Sequence, residues 1–225
     1  MTESSGRVEG ALRLRFERPP GDSRTVLASA EQRAPLAVVR AFALDGGGAL
    51  VHLHNLSGGV LGGDRLRLEL EVGPGAWAQV TTTGATRVYR TLPSAETPIE
   101  TRVARVASGG LLEYLPDPLI PYAQSRFEQS ATIELLEEAT LFWWETIAPG
   151  REASGEVFDY HALRNSLELR VGGKLIATRT HGCSGAEEDV GAESRRGVAP
   201  GGNRRGRLRD RDVCLFKGGI KEPRP

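Results

Sequence analysis

From Arg65 to Val72 the chain alternates without a break: Leu66, Leu68, Leu70 and Val72 on one side, Arg65, Arg67, Glu69 and Glu71 on the other. Period two is the mark of a strand with one face on a core and one in water. Gly-Pro-Gly, Gly73 to Gly75, turns the chain, and Ala-Trp-Ala-Gln-Val-Thr-Thr returns as a second strand. The unit recurs. "LELEVGPGAWAQVTT", "TRVARVASGGLLEYLP" and "ATIELLEEATLFWWET" each run strand, small-residue turn, strand, with turns near Gly75, Gly109 and Ala139, 34 and 30 residues apart. Periods of this size suggest stacked supersecondary units. An ordinary sandwich of hairpins fits the same pattern.

Strand signals dominate elsewhere. "RTVLASAEQ" and "PLAVVRAFAL" read as strands split by Pro35, and "ALVHLHNL" as a third. "LRVGGKLIA" reads as a tight hairpin in which Gly172 and Gly173 supply positive φ. "YLPDPLIPYAQSRF" holds three prolines and must be loop or edge. No segment sustains helical spacing with caps. After about Thr180 the periodicity stops and Gly and Arg dominate. Such a segment buries too little to offset its ordering entropy, so 181–225 is expected to be a disordered tail. Its character is that of GC-rich coding sequence read in a shifted frame; a natural linker is the alternative.

Net charge is +0 and the sequence pI about 6.9, so no basic excess points to nucleic acid or an anionic membrane. The N-terminal stretch lacks a signal peptide's apolar core, and no apolar run reaches membrane-spanning length. With two cysteines, Cys183 and Cys214, a disulfide framework is not expected and a reducing cytoplasm is.

The run "SGGVLGGD" invites a nucleotide reading. A dinucleotide fingerprint needs Gly-x-Gly-x-x-Gly before a helix, and a P-loop needs Gly-Lys-Ser/Thr. Here the first glycine is missing, a strand follows, and Gly63 precedes Asp64, whose charge opposes phosphate. Nor is there Gly-x-Ser-x-Gly, HExxH or CxxC. No enzyme is expected.

"NLSGGVLGGDRLRLELEVGPGAWAQVTTTGATRVYRT", Asn55 to Thr91, closely resembles the urease accessory protein family UreD, also called UreH. The shared features are the Gly-Gly-x-x-Gly-Gly-Asp run, the strand after it, and a Thr-rich strand ending in Arg87, Val88, Tyr89, Arg90. The resemblance continues in "LEYLPDPLIPYAQSRFEQ" and "WWETIAPGREASGEVF", making 1–180 a UreD-like β domain. It implies a mainly β fold, an elongated β-helix-like stack of hairpins with few helices, here with the C-terminal part truncated or disordered, because family members continue for many tens of residues. It implies a non-enzymatic chaperone or scaffold in the cytoplasm that assists nickel insertion into urease apoprotein with UreF and the GTPase UreG. No cofactor is held permanently; nickel(II) is transient cargo. The alternative is a generic all-β protein- or glycan-binding domain.

Transient Ni(II) suits carboxylate and imidazole ligands. On that basis the nickel path is assigned to Asp64, Glu113, Glu145 and Glu156, and partner contact or support to Arg87, Tyr89, Arg90 and Asp117. Each has a plainer reading. Asp64 can close a turn through backbone amides and Asp117 can shape one between prolines. Glu113 sits among apolar residues and needs a partner. Glu145 falls on the strand face opposite Trp144, and Glu156 has Arg151 nearby. His52 and His54 share a strand face, but no third ligand is evident and packed histidines are favoured. His181 near Cys183 lies in the anomalous tail and is discounted. Titration of the chain with ATP, GTP or NAD is expected to give no saturable binding; tight saturation would overturn the reading of the glycine run.

Overall fold

The computed structural model describes residues 7–184 and 212–217. The chain opens with β1 (Glu9–Glu17), β2 (Val26–Arg33), β3 (Leu36–Ala37), β4 (Ala41–Ala43) and β5 (Ala49–Asn55). Winding rungs follow: β6 (Arg65–Val72), β7 (Trp77–Thr82) and β8 (Thr86–Val88); β9 (Ile99–Val106), β10 (Leu111–Leu115) and β11 (Leu119–Pro121); β12 (Arg126–Leu135) and β13 (Thr140–Glu145). Then come β14 (Ala162–Val171), β15 (Lys174–Ser184) and β16 (Asp212–Lys217). The one helical element among the described residues is a single 3-10 turn, Glu152–Ser154.

The stack of units is present, but its units are not hairpins. β6 and β7 flank Gly-Pro-Gly, yet they belong to different sheets. β6 pairs in parallel with β1 and β9, and β12 in parallel with β9 and β14. β7 pairs in parallel with β5 and β10, and β10 with β13. β8 and β11 form a third, two-stranded parallel sheet. The turn at Gly73–Gly75 is therefore a corner between sheets, and the chain winds as a β-helix. A hairpin and a corner share one local pattern, strand–glycine–strand; only the partner of each strand distinguishes them.

Parallel registry stacks equivalent residues. Arg65 pairs with Ile99, an offset of 34, and Ile99 with Glu128, an offset of 29. The inward positions thus form ladders: Leu70, Ala104, Ile133 and Leu169 in one, Val72, Val106 and Leu135 in the next. All are buried. Burying each large aliphatic side chain contributes about 1.5–3 kcal/mol. The outward alternates, Arg67, Arg105 and Glu128, stay in solvent.

The expected hairpin at Gly172–Gly173 is present, joining β14 to β15 with φ of 55° and 78°. Of the expected tail, residues 181–184 complete β15 and Asp212–Lys217 pairs with β13. The rest of that expectation lies outside the described residues.

The corner repeats in three rungs, and each needs one left-handed residue: Gly75 (φ 63°), Gly109 (φ 67°) and Glu138 (φ 62°). A Cβ on Gly109 would meet nothing closer than Gly75 at 3.9 Å, so backbone conformation alone decides the cost. Gly109→Ala should lose about 1–2 kcal/mol, and Glu138→Gly should gain stability by relieving the same penalty. Urea midpoints check both; equal midpoints for all three chains would refute the corner geometry.

Candidate functional site

Among the described residues the apolar core falls into two clusters. Along β12, Phe127 belongs to one cluster and Ala131 to another, with Gln129 between them. Along β14, Leu163 and Leu167 are divided in the same way by Asn165. Registry places Glu100, Gln129 and Asn165 in one inward ladder, above Leu66, and Arg102 in the next. Glu145 enters from β13 in the facing sheet.

Arg102 organises this layer. Its Nε and Nη2 donate to the two carboxylate oxygens of Glu100, each at 3.0 Å. Nη2 also donates to Gln129 Oε1 at 3.0 Å, and Nη1 donates to Glu145 Oε1. Glu145 Oε1 accepts Gln129 Nε2 at 2.7 Å, and its Oε2 accepts Asn165 Nδ2 at 3.4 Å. The guanidinium lies 5.3 Å from the Tyr114 ring centroid, and Tyr114 stacks on Trp143 at 4.1 Å. Side-chain exposure is 7% for Arg102, 11% for Glu100 and 17% for Glu145. Burial disfavours the Arg102 cation, but the carboxylates of Glu100 and Glu145 outweigh it and raise its pKa. Burial raises the Tyr114 phenol and keeps it neutral. Two carboxylates against one guanidinium leave a formal excess of one negative charge.

A cavity of about 220 Å³ opens on this layer. Gly58–Val60 of the glycine run, His54, Thr82–Arg87 and Asp117 also line it, together with apolar Leu36, Leu53, Leu66, Leu119, Ile147 and Leu163. Gly59 must be glycine, since a Cβ there would sit 2.7 Å from Arg87 O and 2.5 Å from the Tyr89 ring. The glycine run thus packs backbone against backbone at the cavity wall.

Of the four residues assigned to a nickel path, only Glu145 belongs to this layer. Asp64 is 2% exposed and outside the cavity lining. Its Oδ2 accepts the Leu61 N–H at 2.9 Å and closes the glycine turn, while Oδ1 is buried with no partner among the described residues. Glu113 faces away from the core, half-buried, and accepts Trp77 Nε1 at 2.8 Å, so the partner it needed is an indole. Glu156 pairs with Arg151 through both oxygens and accepts the Ala123 N–H at 3.0 Å. Arg151, then that amide, lower its pKa to about 2. Asp117 exchanges hydrogen bonds with Thr82 at the cavity rim, 3.0 Å and 2.9 Å. Arg87 and Tyr89 both donate to Gly58 O at 3.3 Å, and Arg90 is exposed. His52 packs 5.7 Å from Phe42, and among the described residues no three His, Cys, Asp or Glu cluster as a metal site. His181 accepts Arg179 Nε at 2.5 Å.

Glu100, Arg102 and Gln129 are the site residues that motif reading missed. The signal was present: shifting "LRLELEV" by 34 residues lays Leu66 and Leu68 on Glu100 and Arg102. Charged residues at two core positions of a repeat mark a polar layer.

A β-helical scaffold with a charged interior cavity is the class these features define. A family model described as UreD urease accessory protein matches residues 8–200. The chain is 43% identical over 170 residues to a urease accessory protein UreD of Herpetosiphon aurantiacus, covering 76% of this chain and 58% of that protein. It is 36% identical over 191 residues to urease accessory protein UreD 2 of Brucella abortus, 83% and 60%. Over 160 residues it is 41% identical to UreD of Alkalilimnicola ehrlichii, 71% and 53%. The chain belongs to the UreD family of urease accessory proteins. It spans between half and three-fifths of the length of these relatives.

Removing Arg102 strands two carboxylates in the interior. Arg102→Ala should cost about 3–5 kcal/mol, as breakage of buried ion pairs does. The triple change Arg102→Met, Glu100→Gln, Glu145→Gln should recover much of that, because no buried charge is left over. Denaturant unfolding of the three chains measures this; a loss under about 1 kcal/mol for Arg102→Ala would show that the layer is solvated.

Proposed function

We propose that this chain is a urease maturation factor, a scaffold rather than an enzyme, that guides nickel(II) as cargo toward the urease apoprotein. Its proposed partners are the apoprotein, UreF and the GTPase UreG, in the cytoplasm. The observation that carries the reading is the buried layer of Glu100, Arg102, Gln129 and Glu145 beside a cavity of about 220 Å³, in a chain of the UreD family. A passage for a divalent cation needs negative charge in excess and oxygen donors that exchange. The layer has both, with one guanidinium compensating two carboxylates. A generic glycan- or protein-binding domain leaves this interior charge without a use. No helix among the described residues is long and apolar enough to cross a membrane.

Asp64 enters the proposal as a support for the cavity wall through the glycine turn, and Glu145 as the direct contact. Glu145→Gln keeps the shape and removes the excess charge; Asp64→Asn keeps the turn, since both side chains accept from backbone amides. Coexpressed with urease and the other accessory proteins, Glu145→Gln should lower the nickel content of matured urease severalfold with partner co-purification intact. Asp64→Asn should leave it near wild type. Full nickel content with Glu145→Gln would sink the passage. A nickel loss with Asp64→Asn, at unchanged stability, would move the path to the glycine turn.

A further inference from the structure

Arg102 is a cation already lodged inside the polar layer. Four oxygen atoms converge on its guanidinium: Oε1 and Oε2 of Glu100, Oε1 of Gln129 and Oε1 of Glu145. Each comes from a strand of a packed sheet, Glu100 from β9, Gln129 from β12 and Glu145 from β13. Carboxylate and amide oxygens held together in this way are the donors that hard and borderline divalent cations take. The three residues and Arg102 all line the cavity. The place that suits a metal ion is thus filled by a side chain of the protein itself.

The guanidinium is held unequally by its two carboxylates. Nε and Nη2 make a two-point fork on Glu100, which lies two residues away on the same face of β9. Bidentate pairs of this kind are the strong form of the contact. Glu145 receives Nη1 alone, and it keeps two other donors, Gln129 Nε2 at 2.7 Å and Asn165 Nδ2 at 3.4 Å. Glu145 can therefore exchange Nη1 for a metal ion without becoming bare, while Arg102 stays on Glu100. An arginine does not yield by losing its proton, so its charge remains in the layer when an ion arrives. Two carboxylates and one guanidinium sum to one negative charge; without Arg102 the sum is two. Elsewhere on the lining Asp117 and Arg87 cancel, and His54 and Tyr114 complete the titratable groups.

We infer that Arg102 is a tethered competitor for the passing nickel(II): it releases Glu145 to the ion, and its charge keeps the ion from staying. The inference rests on the nickel passage proposed above and adds how that passage avoids trapping its cargo. A dication between two buried carboxylates, with no cation of the protein beside it, binds tightly and stops. A neighbouring guanidinium weakens that binding, because like charges repel strongly where water is excluded. It also returns to Glu145 as the ion leaves, so the buried carboxylate is not left unpaired. Gln129 serves both states, since its Oε1 accepts from Arg102 and its Nε2 donates to Glu145. An Arg102 that only held the sheets together would affect stability and leave nickel affinity unchanged.

The test uses the full chain with nickel(II) chloride as the probe. Wild type, Arg102→Met and Glu100→Gln are compared by equilibrium dialysis, with Arg164→Gln, exposed on the outer face of β14, as the control. The nickel content of urease matured by coexpression is measured for each. Arg102→Met should bind nickel about tenfold or more tighter than wild type and yet deliver less of it. Glu100→Gln leaves Arg102 wholly to Glu145 and makes the site neutral, so it should bind nickel more weakly than wild type and also deliver less. Opposite shifts in affinity with the same loss of delivery are not produced by a purely structural ion pair. Thermal melting monitors folding. If Arg102→Met does not fold, the double change Glu100→Gln, Arg102→Met replaces it, since it leaves one carboxylate unpaired instead of two. That chain has the formal charge of wild type without the competitor, and it too should bind nickel more tightly. Unchanged affinity in the Arg102 variants, with delivery lowered by Glu145→Gln, overturns the inference and leaves the passage standing. Tighter binding with wild-type delivery overturns the inference as well. Full delivery with Glu145→Gln overturns passage and inference together.

Discussion

Parallel registry between rungs is the constraint on which the rest of the molecule depends. Each inward residue of β6 lies beside its counterpart in β9, and that one beside its counterpart in β12. A slip of one residue would turn Leu66, Leu68, Leu70 and Val72 to solvent and bring Arg67 and Glu69 into the core. Registry is held because the leucine face of β6 meets apolar or satisfied partners only in the observed alignment. The same alignment fixes where the corners fall, so a left-handed residue recurs at Gly75, Gly109 and Glu138.

That registry also explains how a charged layer can be tolerated. Stacking puts Glu100, Gln129 and Asn165 in one row and Arg102 in the next, near enough for each polar group to answer another. Each charge is buried with a partner, which is the condition under which buried charge survives. Arg102 offsets one carboxylate and is shared with the second, so the interior keeps a local negative excess beside a cavity. Rigid sheets above and below hold these groups in place. The function proposed for the layer needs that rigidity, since a cation passage loses its charge geometry if its walls collapse.

Much of the scaffold was legible in the sequence. The alternation of β6, the proline-bound edge at β11 and the Gly-Gly hairpin at Gly172 are all local signals, read from spacing and turn chemistry. The 34-residue recurrence was legible too, and it equals the observed rung offset. The pairing was not. Strand, glycine corner, strand describes a hairpin and a β-helix corner equally, because φ at the corner does not name the partner of either strand. Among site residues, Glu156 with Arg151 was legible since they lie five apart. Arg102 with Glu145 was not, because 43 residues separate them.

The sequence by itself determined that the chain is built of short strands and which face of β6 is apolar, and it left Asp64 open between closing the glycine turn and a nickel path. These are properties of neighbours, set by period two and by the reach of one side chain to nearby amides. Tertiary structure alone decided that Glu100, Arg102, Gln129 and Glu145 meet and that Glu113 turns outward to Trp77. The physical reason is the winding. Residues 29 or 34 apart become adjacent only after the chain has turned three corners, and one strand's pattern does not encode which rung lies beside it.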